Sequence, residues 1–147
     1  MALARFIAEV TRRWRKPNAT EATHIALGRR GEDLAVAHLR AHGHKILRRN
    51  FRAPRGGEVD IVCRDKRHGE LVFVEVKTRS SEEFGRPMDA VDQKKRRLII
   101  RGAMTWLRML DMPDLTFRFD VIEVIDSDPP VIRTLENAFQ LPDSYGY

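Results

Sequence analysis

The chain carries one cysteine, Cys63, in 147 residues. That excludes an internal disulfide and a cysteine-rich zinc centre, and leaves Cys63 as a small residue to be packed in a strand. No apolar run approaches the roughly 20 residues that a membrane-spanning helix needs. None of the five histidines forms an HExxH pair. His38 and His42 have zinc-like helical spacing, but the sequence offers them no matching third ligand. A GxxxxGKS/T phosphate loop, a GxSxG nucleophile elbow, internal repeats and low-complexity tracts are all missing.

What is there is a soluble, globular composition: 42% hydrophobic and 33% charged residues, at a length that fits one domain. Lys and Arg number 27 against 21 Asp and Glu, a formal charge of +6. A basic balance favours an anionic partner: nucleic acid, a membrane surface or an acidic protein. Residues 1–19 form a basic arm set apart from the domain at 20–147. Leu3, Phe6, Ile7, Val10 and Trp14 recur there at helical spacing among arginines. The arm fits a short amphipathic helix for a membrane surface or partner, but fits a poorly ordered extension better. Its apolar run is too short for a signal peptide and is followed by charge, so a cytoplasmic location is expected.

Thr20 or Thr23 can cap a first helix running to about His42, with Gly43 as its stop. Leu27, Gly31, Leu34, Ala35, His38 and Leu39 form its inward stripe, and Glu32 sits near the edge of that stripe. From the helix alone Glu32 reads as an ordinary solvated residue. Strands are expected at 45–51, 58–64, 71–77 and 117–125, with a short fifth at 131–135. The unbroken apolar start of the third marks a central strand buried on both faces. A breaker-rich turn covers 52–57 and a polar loop covers 78–87. A second long helix begins at an Asp89 cap, with Asp92 as a partial capping box, and ends at Pro113. Two helices packed on a mixed sheet of four to five strands is the architecture this order implies, an α/β fold.

Residues two apart on a strand share a face, so Glu58 and Asp60 point one way, and so do Glu75 and Lys77. The second and third strands are joined by a short turn and pair antiparallel, which brings Asp60 near Glu75. Charges at the end of a buried strand are costly unless paired or bound to a metal. The pattern fits both a structural ion pair at the sheet rim and a site for a hard divalent cation, Mg²⁺ or Mn²⁺. Such an ion with a neighbouring lysine is a complete set for phosphodiester hydrolysis. Lys94, Lys95, Arg96 and Arg97 crowd the start of the second helix, where positive charge opposes the helix dipole. Phosphate contact would offset that, and Arg52, Arg55 and Arg79 flank the proposed site through loops. A merely solvated basic face fits the same residues.

GGEVDIV (56–62), LVFVEVKTRS (71–80), FGRPMDAVDQKKRR (84–97) and RFDVIEV (118–124) together resemble the YraN family of bacterial proteins. That family is similar to the archaeal Holliday junction resolvases, and both share the restriction-endonuclease-like fold with its PD-(D/E)XK signature. The resemblance runs from about Gly28 to Ile125. It implies that Asp60 and Glu75 are metal ligands and that Lys77 is the catalytic lysine. Glu32, in GRRGEDLA, matches the first-helix Glu that such resolvases add to the site. Glu58 belongs to the family's GE-hydrophobic-D motif, as a further ligand or a structural partner. Asn50 and Arg52 match a pattern ahead of it, and Val59 stands where the signature has proline. The implied function is a Mg²⁺- or Mn²⁺-dependent endonuclease acting on DNA, with branched or recombination intermediates as substrates. A homodimer would suit a two-fold junction. The alternative is a non-catalytic nucleic-acid-binding module of the same fold, because fold alone does not establish activity.

Overall fold

A computed structural model describes residues 18–80, 91–111 and 114–145. Most of the basic arm, the loop at 81–90 with Asp89, and Pro113 lie outside the described residues. Helix α1 spans Ala19–Ala41, β1 His44–Arg52, β2 Glu58–Asp65, β3 Glu70–Ser80, α2 Gln93–Met109, β4 Phe117–Asp126 and β5 Val131–Phe139.

The five strands lie in one sheet in sequence order. β1–β2, β2–β3 and β4–β5 pair antiparallel, while β3 and β4 pair parallel across the α2 crossover. The sheet is thus mixed and flanked by helices, as the strand and helix order implied. β3 is the middle strand, and alternation divides its side chains between two cores. Leu71 and Phe73 face α2, where they meet Val59, Val62, Ile99, Ala103, Leu107, Phe119 and Val121. Val72 and Val74 face α1, where they meet Ala35, Val36, Leu39, Ile61, Cys63, Ile122 and Val124. Full burial of one such Leu, Ile or Phe contributes about 1.5–3 kcal/mol, so each helix is held by its apolar face.

Both helix starts differ from expectation. Asn18, not Thr20 or Thr23, caps α1: its side chain accepts from Glu21 N at 2.8 Å while Glu21 accepts from Asn18 N at 2.9 Å. This reciprocal box satisfies two end groups at once, which a threonine one turn later cannot do. Thr23 instead turns its hydroxyl back to Ala19 O inside the helix. In α2, Asp92 is itself the cap, accepting from Lys95 N at 2.8 Å. β5 also extends beyond Leu135 to Phe139, whose ring stacks on Phe119 with centroids 4.8 Å apart.

Two close approaches fix the helices against the sheet. A Cβ on Gly57 would lie 2.6 Å from Gly102 N, and one on Gly102 would lie 3.0 Å from Glu58 N. Glycine at both places lets α2 meet the start of β2 backbone to backbone. On the other side, a Cβ on Gly31 would fall 1.9 Å from Thr78 Oγ1, so α1 rests directly on β3. These contacts place Glu58 beside Lys95 and bring Glu32 to the end of β3.

Candidate functional site

The ladder between β2 and β3 runs from Asp65↔Glu70 to Ile61↔Val74 and stops there. At the next position Asp60 Oδ2 accepts from Val76 N at 2.8 Å. A side-chain carboxylate thus takes the bond that a strand carbonyl would otherwise accept, and the strands part around it. Glu75, one residue beyond the last pair on β3, is 6% exposed and lies against the Asp60 carboxylate.

This pairing is electrostatically unfavourable. Burial, then the charge of Asp60, pushes the Glu75 carboxyl up to about 8, against the opposing influence of Lys95. Two carboxylates sharing one buried site do not both ionise readily. Glu75 Oε2 is buried and has no hydrogen-bond partner among the described residues.

Two more elements, α1 and α2, reach the same cavity of about 510 Å³, which is lined by Glu32, Asp60, Glu75, Lys77, Asp92 and Lys95 together with His24. Lys77 is exposed at its mouth and makes no ion pair among the described residues. Glu32 enters from α1, where Oε1 accepts from Arg49 Nε and Asn50 Nδ2, both at 3.1 Å. Asn50 adopts a left-handed backbone, φ 50°, a conformation that Asn tolerates better than most residues. Lys95 enters from α2. Its Nζ contacts Glu58 Oε1 and lies 3.6 Å from Glu75 Oε1. The hydrogen bond from Lys95 holds the Glu58 carboxyl below its ordinary value. Burial works against the Lys95 charge, but Glu58, Glu75 and Asp60 outweigh it and raise the ammonium.

Asp60, Glu75, Lys77 and Glu32 are therefore gathered at one cavity, with Glu58 joined to it through Lys95. Lys95 belongs to the carboxylate cluster rather than to an outer basic face. The signal for it was the Asp92 cap, which sets the helix phase. The remaining basic residues disperse. Arg79 lies 3.4 Å from the buried Glu123, because β3 continues through Ser80. Arg96 lies over the Phe139 ring and donates to Val91 O. Arg52 pairs with Glu58 at 3.3 Å, Lys94 is exposed, and Arg55 lines a different hollow. The zinc-spaced His38 and His42 lie tilted against each other, ring centroids 4.1 Å apart, at a hollow that also takes His44.

Among the described residues, no three His, Cys, Asp or Glu side chains are already arranged to hold one ion. The chemistry of the donor set nonetheless suits a hard cation. Asp60 and Glu75 are oxygen donors, Glu75 keeps an unsatisfied buried oxygen, and their mutual repulsion is what a divalent charge would relieve.

Comparison with known proteins adds the lineage. The model of "Uncharacterised protein family UPF0102" matches residues 31–124. A UPF0102 protein of Geobacter metallireducens is 50% identical over 117 residues, covering 79% of this chain and 93% of the relative. Another, from Geobacter sulfurreducens, is 50% identical over 117 residues, 78% of this chain and 89% of the relative. One from Persephonella marina is 41% identical over 114 residues, 78% of this chain and 93% of the relative. The chain belongs to the UPF0102 family, the YraN family that its motifs resemble.

Proposed function

We propose that this UPF0102 member is a Mg²⁺- or Mn²⁺-dependent endonuclease that hydrolyses phosphodiester bonds in DNA, with branched or recombination intermediates as its substrates. The observation that carries the reading is the Asp60–Glu75 pair. Two carboxylates are pressed together where the sheet opens, one with a buried oxygen left unsatisfied.

Asp60 and Glu75 would hold the ion, with Glu32 as the third carboxylate at the same cavity. When bound, such an ion supplies Lewis acidity toward a phosphodiester oxygen and toward water. The chain's own residues do the rest. The Val76 amide fixes Asp60, and Arg49 and Asn50 hold Glu32 by one oxygen. Lys77, free of ion pairs among the described residues, can orient the attacking water and meet negative charge developing on the phosphoryl oxygens. Lys95 keeps Glu58 ionised and draws Glu75 toward its charged form.

The formal charge of +6 suits a polyanionic substrate. Two copies of the chain would present two such sites to a two-fold junction. No described helix is long and apolar enough to cross a membrane, and the reading assigns the protein to the cytoplasm.

The test is a cleavage screen across DNA and RNA structures with Mg²⁺ and Mn²⁺, run beside Asp60→Asn. Divalent-dependent cleavage lost in Asp60→Asn is the expected result. Cleavage by Asp60→Asn at the parental rate rejects the site. Salt-sensitive binding without cleavage under any condition makes the protein a non-catalytic module of the same fold.

A further inference from the structure

Helix α2 buries one face through Ile99, Ala103 and Leu107 and presents another to solvent. On that outer face Lys94, Arg97, Arg101, Thr105 and Arg108 recur at i, i+3, i+7, i+11 and i+14. At 3.6 residues per turn these five side chains fall within about 80° of arc and extend about 21 Å along the axis. The four cations are exposed and make no ion pair among the described residues. Lys94 stands next to Lys95, so one end of the stripe begins at the carboxylate cavity.

The second half of the stripe, from Arg101 to Arg108, opens on a second hollow of about 410 Å³, between α2 and the turn at 54–57. Arg55, Arg101, Thr105, Arg108 and Tyr145 line it, and among the described residues no carboxylate does. Two of its guanidinium groups are already oriented by neutral acceptors. Arg101 Nη2 donates to Arg55 O at 2.7 Å, and Arg108 Nε donates to Met104 O at 3.3 Å. Neither bond neutralises the charge. Gly56 has no side chain to crowd Arg101, whose Nη2 lies 3.4 Å from where a Cβ would stand. The Gly57–Gly102 crossing ties this turn to the helix, so the hollow and the carboxylate cavity keep a fixed spacing.

We propose that the outer face of α2 and the turn at 54–57 form a track for the sugar–phosphate backbone of a duplex DNA arm leading away from the scissile position. The proposal rests on the nuclease reading for the end at which the track begins, but not for the track itself. A linear row of cations suits a linear row of phosphates. At 3.4 Å per nucleotide of one strand, 21 Å of helix corresponds to about six base pairs. The helix exposes one large apolar side chain, Met109 at its last position, where a membrane-inserting helix presents a whole face of them.

The experiment measures binding of the full chain to duplex arms of graded length, without divalent ions so that nothing is cut. Parent and Arg101→Gln/Arg108→Gln are compared across a salt series, with thermal melting as the control for folding. On arms longer than the track the double variant is expected to bind about tenfold more weakly, with a log–log salt slope shallower by about 2. On arms of three or four base pairs the two proteins should bind alike. Equal affinity and equal salt slope on the long arms would overturn the track, as would a loss confined to anionic lipid vesicles or an acidic peptide. A greater loss on RNA duplex than on DNA would overturn its assignment to DNA. Single Arg101→Gln and Arg108→Gln proteins keep the comparison available if the double variant melts early. The two ideas fail separately. A parent that never cleaves but loses long-arm binding in the variant sinks the nuclease reading alone. A parent that cleaves, with a variant that binds long arms unchanged, sinks the track alone.

Discussion

Lys95 Nζ sits between two carboxylates, bonded to Glu58 and 3.6 Å from Glu75 Oε1. Among the described residues it is the one cation that touches the buried pair, and it comes from the helix rather than from the strand that carries Lys77. The two lysines therefore have different work. Lys77 stands at the cavity mouth with its charge unpaired among the described residues, whereas the charge of Lys95 is spent on Glu58 and Glu75.

Replacing Lys95 with Met should separate these roles. Removing the ammonium takes from Glu75 the cation that opposes burial, Asp60 and Glu58, so its carboxyl should rise further. Divalent binding, which needs the carboxylate, should then shift to higher pH in Lys95→Met. Lys77→Met should leave that pH dependence where it was and lower turnover. Titrating Mn²⁺ binding against pH in both proteins checks the difference. An unshifted profile in Lys95→Met would show that Glu75 does not sense it.

Glu75 should also impose a pH dependence on stability. Its folded value, about 8, lies above its ordinary value of 4.5. Between those two values the native state holds a proton that the unfolded chain has lost, so stability falls as pH rises through that window and levels above it. Glu75→Gln has no such proton. It should match the parent near pH 4 and exceed it above pH 8, on the order of a few kcal/mol in denaturant unfolding. Mg²⁺ or Mn²⁺ should narrow the gap by binding the parent alone. Parallel stability curves for the two proteins across pH 4–9 would contradict the buried pair.

At Asp60 charge and structure can be separated. Asn keeps an oxygen that can accept from Val76 N, so Asp60→Asn should melt near the parent while losing about a hundredfold or more of any metal-dependent turnover. Ala keeps neither function and leaves the Val76 amide unpaired at the strand opening, at a cost of about 1–3 kcal/mol. Thermal melting and turnover of the three proteins, measured together, check both statements.

The parts of this site that follow from period-two alternation were legible in the sequence: Glu75 and Lys77 on one face of a central strand, with Asp60 on its antiparallel neighbour. The parting of the strands was not, because a side chain replaces a ladder carbonyl at Asp60 and no local pattern signals that exchange. Lys95 lay in a run of four basic residues that all looked alike. Only the Asp92 cap and the Gly57–Gly102 contact determine which one turns toward Glu58. The polar run from Thr78 reads as a loop, with Arg79 in it and the strand ending at Lys77. Pairing with β4 carries it on through Ser80, where Arg79 meets buried Glu123. Glu32 became visible through resemblance, and the structure adds what supports it: Arg49 and Asn50, from the irregular end of β1.

That support depends on how closely α1 lies on β3. A Cβ at Gly31 would fall 1.9 Å from Thr78 Oγ1 and 2.8 Å from Thr78 Cβ and Cγ2, so turning the threonine about its own bond does not clear the overlap. In Gly31→Ala the helix must lift, and its neighbour Glu32 must move relative to Asp60. The expected loss is about 1–3 kcal/mol of stability, as for other overpacked positions. Turnover should fall beyond what stability explains, since a third carboxylate displaced by a fraction of an ångström no longer meets the other two. Adding Thr78→Ala removes Oγ1 and Cγ2, two of the three close contacts, and should restore part of both losses. Turnover in Gly31→Ala that falls no further than stability explains would mean that Glu32 is not a working member of the site. Recovery of the two together would tie the helix contact to the chemistry.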